Sequence, residues 1–433
     1  MTHSMFRLTL ILAMTLTKCA AFGQGDRNEL PPSLEALPAE YPSTPWPPVT
    51  QTTPLAPVAT TRPIAPCTQD YRSISDWTSS APTTSCCDVS ASPTSYSNGG
   101  LALNPCRLSS PWYFSAAGLI MGRDKSRRVW TTYETNVNAN QLMSTDNADP
   151  NWQGGVEAHL GRQFACGAYA VDLGYWTIDD FTASSSQTHA NFVSTPLIFN
   201  DLEFGAADPV QDYFDTAQEH RISRRNSIQN VELNLLEAGI SSGTSGPWRS
   251  RKSVGVRYFQ FDEDLAFSTL DQGGIWGGNS GVNEVTMQNS IKNNLLGVQL
   301  GYQLDRQWGR LTTFFIAPKF GIYNNRIEHR FDLRRGDGAV AMPSAASGVS
   351  GSFPVASTSN VVSFLTEVNL GFSWRPTYHW TLFGGYRVMA LTGIGLADSQ
   401  IPQYIVDLPE IASIDHQDAL ILHGAFFGAA YSL

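Results

Sequence analysis

No run of eighteen or more apolar residues occurs outside the first twenty-odd positions, which excludes a membrane protein built from helices. Charge is sparse, with Asp, Glu, Lys and Arg making up 15% of the 433 residues. Positive charge is the scarcer sign, 28 Lys and Arg against 38 Asp and Glu, and the net charge of −10 argues against nucleic acid as a partner. Only six cysteines occur and none form a CxxC pair, so no metal site is signalled. No GxSxG, HExxH, Walker or Rossmann pattern occurs either. The chain is therefore not read as an enzyme, and no cofactor is expected. A hydrophobic content of 42% with a mean hydropathy of −0.18 leaves two classes, a soluble exported protein or a barrel.

The N-terminus carries Arg7, the apolar stretch Leu8–Leu16, and small residues around Cys19-Ala20-Ala21 and Ala21-Phe22-Gly23. That order predicts a secretory signal peptide over 1–23, cleaved near Ala21 or Gly23. The lysine before Cys19 fits a lipoprotein site poorly. Cys67, Cys86, Cys87, Cys106 and Cys166 remain after cleavage, an odd number whose pairing spacing does not decide. One or two disulfides stapling the pre-barrel segment are expected. Residues 24–106 hold 14 of the 25 prolines among many Ser, Thr and Ala, so 24–110 is expected to be a disordered periplasmic arm.

From Trp112 onward the composition turns to strands. Residues 364–391 show the pattern best: Thr366, Val368, Leu370, Phe372 and Trp374 alternate with Glu367, Asn369, Gly371, Ser373 and Arg375. After a short turn, Trp380, Leu382, Tyr386 and Val388 alternate with Thr381, Gly385 and Arg387. Period-two alternation predicts ten strands near 112–123, 152–164, 167–178, 226–237, 250–267, 284–304, 311–331, 361–375, 379–391 and 419–433. Pro318 predicts a bulge or shift in the seventh. The short links at Ala165-Cys166, 238–249, 306–310 and 376–378 alternate strictly with long ones at 124–151, 179–225, 268–283, 332–360 and 392–418. Outer-membrane barrels arrange short periplasmic turns and long external loops in this way. The expected fold is all-β, a transmembrane up-and-down antiparallel barrel over 111–433 with about ten strands, within a range of eight to twelve.

If the apolar parity faces lipid, the other parity lines the lumen with Glu157, Asp172, Asn230, Glu232, Asn234, Arg257, Lys319, Glu367, Asn369, Arg375 and Arg387. A basic residue on the lipid side at mid-bilayer would cost ~2–4 kcal/mol, whereas in a wet lumen it costs little. The mixed sign of this set argues against a strong ion filter. Trp152, Tyr175, Trp374 and Trp380 are expected in the interfacial girdles. The closing stretch LILHGAFFGAAYSL sets Phe427, Tyr431 and Leu433 on one parity, the form that barrel-insertion machinery reads. His423 is a polar misfit on that apolar parity, expected at the external rim.

The stretches PWYFSAAGLIMGRD (111–124), STDNADPNWQGGVEAHLGR (144–162), DYFDTAQEHRISRRNSIQNVELNLL (212–236), GVRYFQFDED (255–264), KFGIYNNRIEHR (319–330) and LILHGAFFGAAY (420–431) together resemble the planctomycete outer-membrane family described as Putative beta barrel porin-7. The resemblance implies an outer-membrane barrel with pore activity.

Other polar groupings have plainer readings. Asp146–Asn151 lacks the glycine and distal glutamate of a calcium loop and reads as an external loop with Asx turns. Asp262-Glu263-Asp264 reads as an acidic strand end facing water. Arg221, Arg224 and Arg225 read as a solvated rim before the fourth strand, with anionic lipopolysaccharide or the pore lining as alternatives. Glu219-His220 and Glu328-His329 are adjacent on strands and point to opposite faces, so neither is a ready acid/base couple. Three functions follow: a narrow channel for small polar solutes, a structural or adhesive barrel with a filled lumen, or a soluble exported β-sandwich.

Overall fold

The computed structural model describes residues 112–124, 127–165, 168–205, 208–241 and 248–433. The expected signal peptide, the proline-rich arm and the five remaining cysteines lie outside them.

Ten long strands form the body: β1 (Trp112–Arg123), β2 (Gln153–Phe164), β3 (Tyr169–Ser194), β4 (Ala217–Ser241), β5 (Trp248–Leu270), β6 (Glu284–Trp308), β7 (Thr312–Arg335), β8 (Val355–Trp374), β9 (Trp380–Ile394) and β10 (Asp418–Ser432). Each pairs antiparallel with its chain neighbours, and β1 pairs with β10 from Tyr113↔Ser432 to Arg123↔Leu422, which closes the ring. Within the closed ring no edge is free and backbone donors and acceptors meet a neighbour on both sides, whereas the longer tips, β3 beyond Ile178 and β8 before Phe364, are paired along their length by β4 and by β7 respectively. The soluble sandwich, which needs two sheets with edges, is thereby excluded.

Alternation causes the faces. On β6, Leu296, Val298, Leu300 and Tyr302 are exposed while Asn293, Leu295 and Gln299 are buried. The outward apolar residues of all ten strands form one band, as a lipid-crossing barrel requires. Among the described residues no helix is long and apolar enough to cross a membrane. Glycine matters at two places. Gly309 at φ 76° makes the left-handed step that turns β6 into β7. At Gly161 a Cβ would lie 1.9 Å from the Tyr113 ring, so glycine there lets the tyrosine lie across β2.

Two expectations are corrected. Pro318 causes no bulge: its register with β8 runs unbroken through Pro318↔Val368, and only the ladder toward β6 skips between Ile316↔Leu304 and Lys319↔Gly301. The strands also run further than alternation suggested. The link expected over 179–225 shrinks to 195–216, because β3 and β4 continue as a ladder through Thr188↔Glu219. Residues such as Ser184, Ser185, Ser186 and Gln187 are polar on both faces, so hydropathy carries no period there although the backbone stays extended.

The longer loops fold over one end. A hairpin, Trp130–Glu134 with Val137–Ser144, meets the top of β3 at Tyr133↔Ser194. Two single-turn helices, α1 (Val210–Phe214) and α2 (Leu408–Ala412), bring Phe214, Leu408 and Ile411 into an apolar cluster with Ile222, Phe267 and Phe331 of the strands. Phe199 stacks on Phe214 at 4.0 Å.

Candidate functional site

The site is the barrel interior, and three layers fill it. The first is ionic. Arg257 on β5 donates from Nη1 to Glu367 Oε2 on β8 at 2.8 Å and from Nε to Asn230 Oδ1 on β4 at 2.5 Å. Lys319 on β7 donates to Glu232 Oε2 at 2.9 Å and lies 3.7 Å from Glu367. Arg387 on β9 donates from Nη2 to both oxygens of Glu157 on β2, at 2.8 and 3.0 Å, and from Nε to Asn369 at 2.7 Å. Gln299 completes the layer, donating to Glu232 and Asn234, each at 2.8 Å. Arg257 is 0% exposed, Glu367 1% and Glu232 2%. Such buried charges are tolerable because each is paired and hydrogen-bonded.

A branch of the layer runs toward the turn end. His159 has Nε2 at 3.0 Å from Glu157 and Nδ1 at 2.8 Å from Asp172, and Tyr113 donates to Asp172 at 2.9 Å. Both ring nitrogens face carboxylate oxygens, which suits an imidazolium with two N–H donors.

The second layer is apolar. Trp176, Phe259, Phe261, Leu295, Leu365, Met389 and Leu422, all buried, meet across the lumen. Trp176 packs edge-on to Phe259 at 5.9 Å, and the Arg387 guanidinium sits over the Trp176 ring at 5.7 Å. The same inward parity carries both charged and apolar residues, changing with depth.

The third layer is a piece of chain. Residues 393–400, the last two of β9 and the start of its link to β10, dip inside and are bound by strand side chains. Asn293 holds Gly395 by two bonds, accepting from its N–H at 3.0 Å and donating to its carbonyl at 2.9 Å, as a neighbouring strand would. Asn289 donates to Ala397 O at 2.7 Å, and Glu263 accepts from Ala397 N at 2.9 Å. Arg224, 1% exposed, donates from two nitrogens to Asp398 at 2.8 and 2.7 Å and to Glu263 at 2.6 Å. Arg123 reaches the same Glu263 at 2.7 Å.

These contacts correct two readings. Glu263 is not at a wet strand end but fully buried, between outward-facing Asp262 and Asp264. The Arg221–Arg225 group is not a rim before β4 but part of it, with Arg224 inward and Arg221 and Arg225 outward. Arg225 pairs with Asp180. The inward parity of β4 and β5 was readable, and so was the run of β5 past Glu263; that β4 begins as early as Ala217 was not.

Of the other predicted positions, Asp172, Asn230, Asn234 and Asn369 are buried on the inward parity, and Arg375 sits half-buried one residue beyond β8. Trp374 and Trp380 are exposed at the short-turn end, while Trp152 and Tyr175 are exposed where the apolar parity of β2 and β3 gives way to polar residues. Trp112, Trp248 and Trp308 join the short-turn end; Arg162 lies over Trp112 and Arg306 over Trp248, both at 5.2 Å. His423 is half-buried on the apolar face opposite Gly122, the penultimate residue of β1, with Nδ1 2.6 Å from the Tyr386 hydroxyl and the ring edge-on to Trp152 at 5.0 Å. Phe427 and Leu433 are exposed, and Tyr431 packs on Trp380 at 5.0 Å. Among the described residues no group of three or more His, Cys, Asp or Glu side chains is placed to hold a metal ion.

Residues 135–431, more than half of the chain, match the family described as Putative beta barrel porin-7. The chain belongs to the beta barrel porin-7 family. It is thus an outer-membrane β-barrel, with the closed ring and apolar band that such a protein needs. No curated protein matches the sequence. Among solved structures, the outer membrane protease OmpT from Escherichia coli is similar over 75% of this chain and 97% of its own, at 9% identity and a TM-score of 0.37. A major outer membrane protein from Thermus thermophilus shares 12% identity over 74% and 99% of the two chains, with a TM-score of 0.25. The translocator domain of the autotransporter NalP from Neisseria meningitidis shares 6% over 76% and 90%, with a TM-score of 0.35. At such values the fold rests on the barrel porin-7 chain's own strand ladder rather than on these likenesses.

Proposed function

We propose that this protein is a non-enzymatic outer-membrane barrel that holds its lumen closed and serves as a structural or adhesive surface protein. The observation that carries the reading is the stack of three filled layers. An ion crossing it would have to displace Arg257 and Glu367, then Phe259, Leu295 and Met389, then the chain at Gly395, all buried. Ten strands also lie close to the size at which side chains fill a barrel, far from the sixteen or more of wide aqueous channels. The polar end outside the band, covered by α1, α2 and the 130–144 hairpin, is the surface available for contacts.

A narrow channel for small polar solutes is the second reading, supported by the family description and by the polar lining of the interior. It requires the ionic layer and residues 393–400 to move together. Swelling of proteoliposomes in small sugars and amino acids separates the two. The closed reading predicts rates equal to protein-free liposomes, and faster swelling by the folded, heat-modifiable protein overturns it.

In this reading Trp152, Tyr175, Trp374 and Trp380 anchor the barrel at the two lipid interfaces, and the insertion machinery reads Phe427, Tyr431 and Leu433.

A further inference from the structure

The loop end above the band carries a cavity that belongs to none of the three layers. It measures about 340 Å³ and is enclosed by the 130–144 hairpin, residues 195–200 and α1. The hairpin contributes Tyr133, Asn138 and Gln141, the connecting chain Asn200, and α1 with the residue after it Gln211 and Asp215. That volume is at the low end of small-molecule sites, which run roughly 300–1,000 Å³.

The walls are held from behind. The Gln211 side chain accepts from Phe199 N–H at 2.7 Å and donates to Asp215 Oδ2 at 2.8 Å, while Phe199 itself stacks on Phe214. Ile198, another lining residue, donates to Gln403 O and accepts from Ile405 N, both at 2.9 Å, which ties the cavity to the β9–β10 link. The hairpin wall joins the top of β3 at Tyr133↔Ser194. Walls fixed in this way need little ordering when a ligand enters.

The chemistry of the lining is that of amides. No lysine, arginine or histidine is part of it, and Asp215 is its one carboxylate, so an anion would find no countercharge there. Side-chain amides offer a donor and an acceptor side by side, which suits hydroxyls that also do both. Gln141 is the most specific member. Its Nε2 donates to Asn138 O at 3.0 Å, which fixes the orientation of the amide, and its Oε1 is buried with no described group donating to it. A buried acceptor without a donor is unfavourable, and a ligand hydroxyl relieves that. Half-buried Tyr133 adds a rigid amphipathic surface against which the C–H face of a sugar ring can pack.

We propose that this cavity binds an uncharged saccharide, one sugar ring of a glycan on a neighbouring surface, with Gln141 Oε1 accepting from a sugar hydroxyl and exposed Asn138 and Asn200 contacting the rest. The inference gives a ligand class to the adhesive reading above and takes from it that this end faces outward. The cavity lies apart from the layers that close the lumen, so glycan binding and liposome swelling can fail separately.

The test is a glycan array bearing terminal glucose, galactose, mannose and N-acetylglucosamine, with sialylated and uronic-acid glycans as the acidic comparison, probed with the fluorescently labelled, detergent-folded full chain. Retention on at least one neutral glycan is expected, weaker retention on the acidic ones, and competition by the free methyl glycoside of the retained sugar. Gln141→Met, which keeps the length of the side chain and loses the acceptor, is expected to raise the half-saturating protein concentration at least tenfold. Asn200→Ala, at an exposed wall position, is expected to raise it severalfold. Asn360→Leu, exposed on β8 and not part of the lining, is expected to leave it unchanged. No retention on any neutral glycan, as a cavity that holds only water would give, overturns the proposal. So does retention on the acidic glycans that equals or exceeds the neutral, unchanged binding in both Gln141→Met and Asn200→Ala, or equal weakening by Asn360→Leu. Heat-modifiable migration of each variant confirms that it is folded.

Discussion

Arg257 and Glu367 stand 110 residues apart in the chain and 2.8 Å apart in the lumen, guanidinium Nη1 to carboxylate Oε2. The contact spans from β5 to β8, strands that are not neighbours in the ring, so it ties opposite parts of the wall together across the interior. Removing one member leaves the other charged and buried with only longer ionic contacts, Glu232 at 3.6 Å from Arg257 or Lys319 at 3.7 Å from Glu367, a loss of up to roughly 3–5 kcal/mol. Glu367→Gln is therefore expected to lower the temperature at which the folded band disappears on gels by several degrees. The double variant Arg257→Met/Glu367→Met, which removes both charges, is expected to recover much of that loss. Equal stability of the single variant and the parent would show that the pair carries nothing.

Arg224 and Asp398 do the same for the chain segment inside the barrel. Asp398→Asn weakens the bidentate contact that holds residues 393–400, while Asn293 and Asn289 still grip Gly395 and Ala397. Opening of this segment becomes easier by up to ~3 kcal/mol, and amide hydrogen exchange over 395–417 rises by as much as about a hundredfold. Exchange in β6 below Asn293 is expected to stay unchanged.

The apolar band predicts a depth dependence. Val298 and Gln288 lie on the same face of β6, the first inside the band and the second above it. Val298→Arg is expected to cost ~2–4 kcal/mol of folding stability in lipid vesicles and Gln288→Arg about nothing. Similar costs at both positions would mean that the band does not face lipid.

In the loop end, burial pushes Asp215 above the ordinary aspartate range, with Gln211 partly opposing it, and burial does the same to Asp149 against the pull of Arg224. A carboxyl whose folded value is raised binds its proton more tightly in the folded state. Its contribution is therefore most favourable at pH below the unfolded value, about 4, and is lost as pH rises through the folded value. Asp215→Asn should remove part of that slope. Protease resistance of residues 195–216, measured from about pH 4 to about pH 7, checks this: the parent's resistance should fall more steeply across the window than the variant's.

Alternation made the ten strands, their order and both faces legible, because inside the band one parity meets lipid and the other does not. It failed where that contrast ends. Beyond Ile178 and before Ile228 both parities of β3 and β4 carry polar residues, so an extended ladder looked like a loop. The charged set Glu157, Glu232, Arg257, Lys319, Glu367 and Arg387 was readable as a parity. Its mutual pairing was not, since those contacts join strands far apart in sequence. Asn293 stood on the inward parity of β6 and could have been named, whereas Asp398 lies in irregular chain where no period operates. Phe259 and Met389 alternate like any inward residue, but nothing local says that they meet and seal the lumen.

The central claim is a sealed interior, and single-channel recording of the purified, heat-modifiable protein in planar bilayers tests it most directly. The account predicts a flat baseline in molar potassium chloride at either polarity, with Glu367→Gln more prone to transient openings. Stable ohmic steps from the parent protein, with a reversal potential that shifts under a salt gradient and changes in Arg387→Ala, would contradict it.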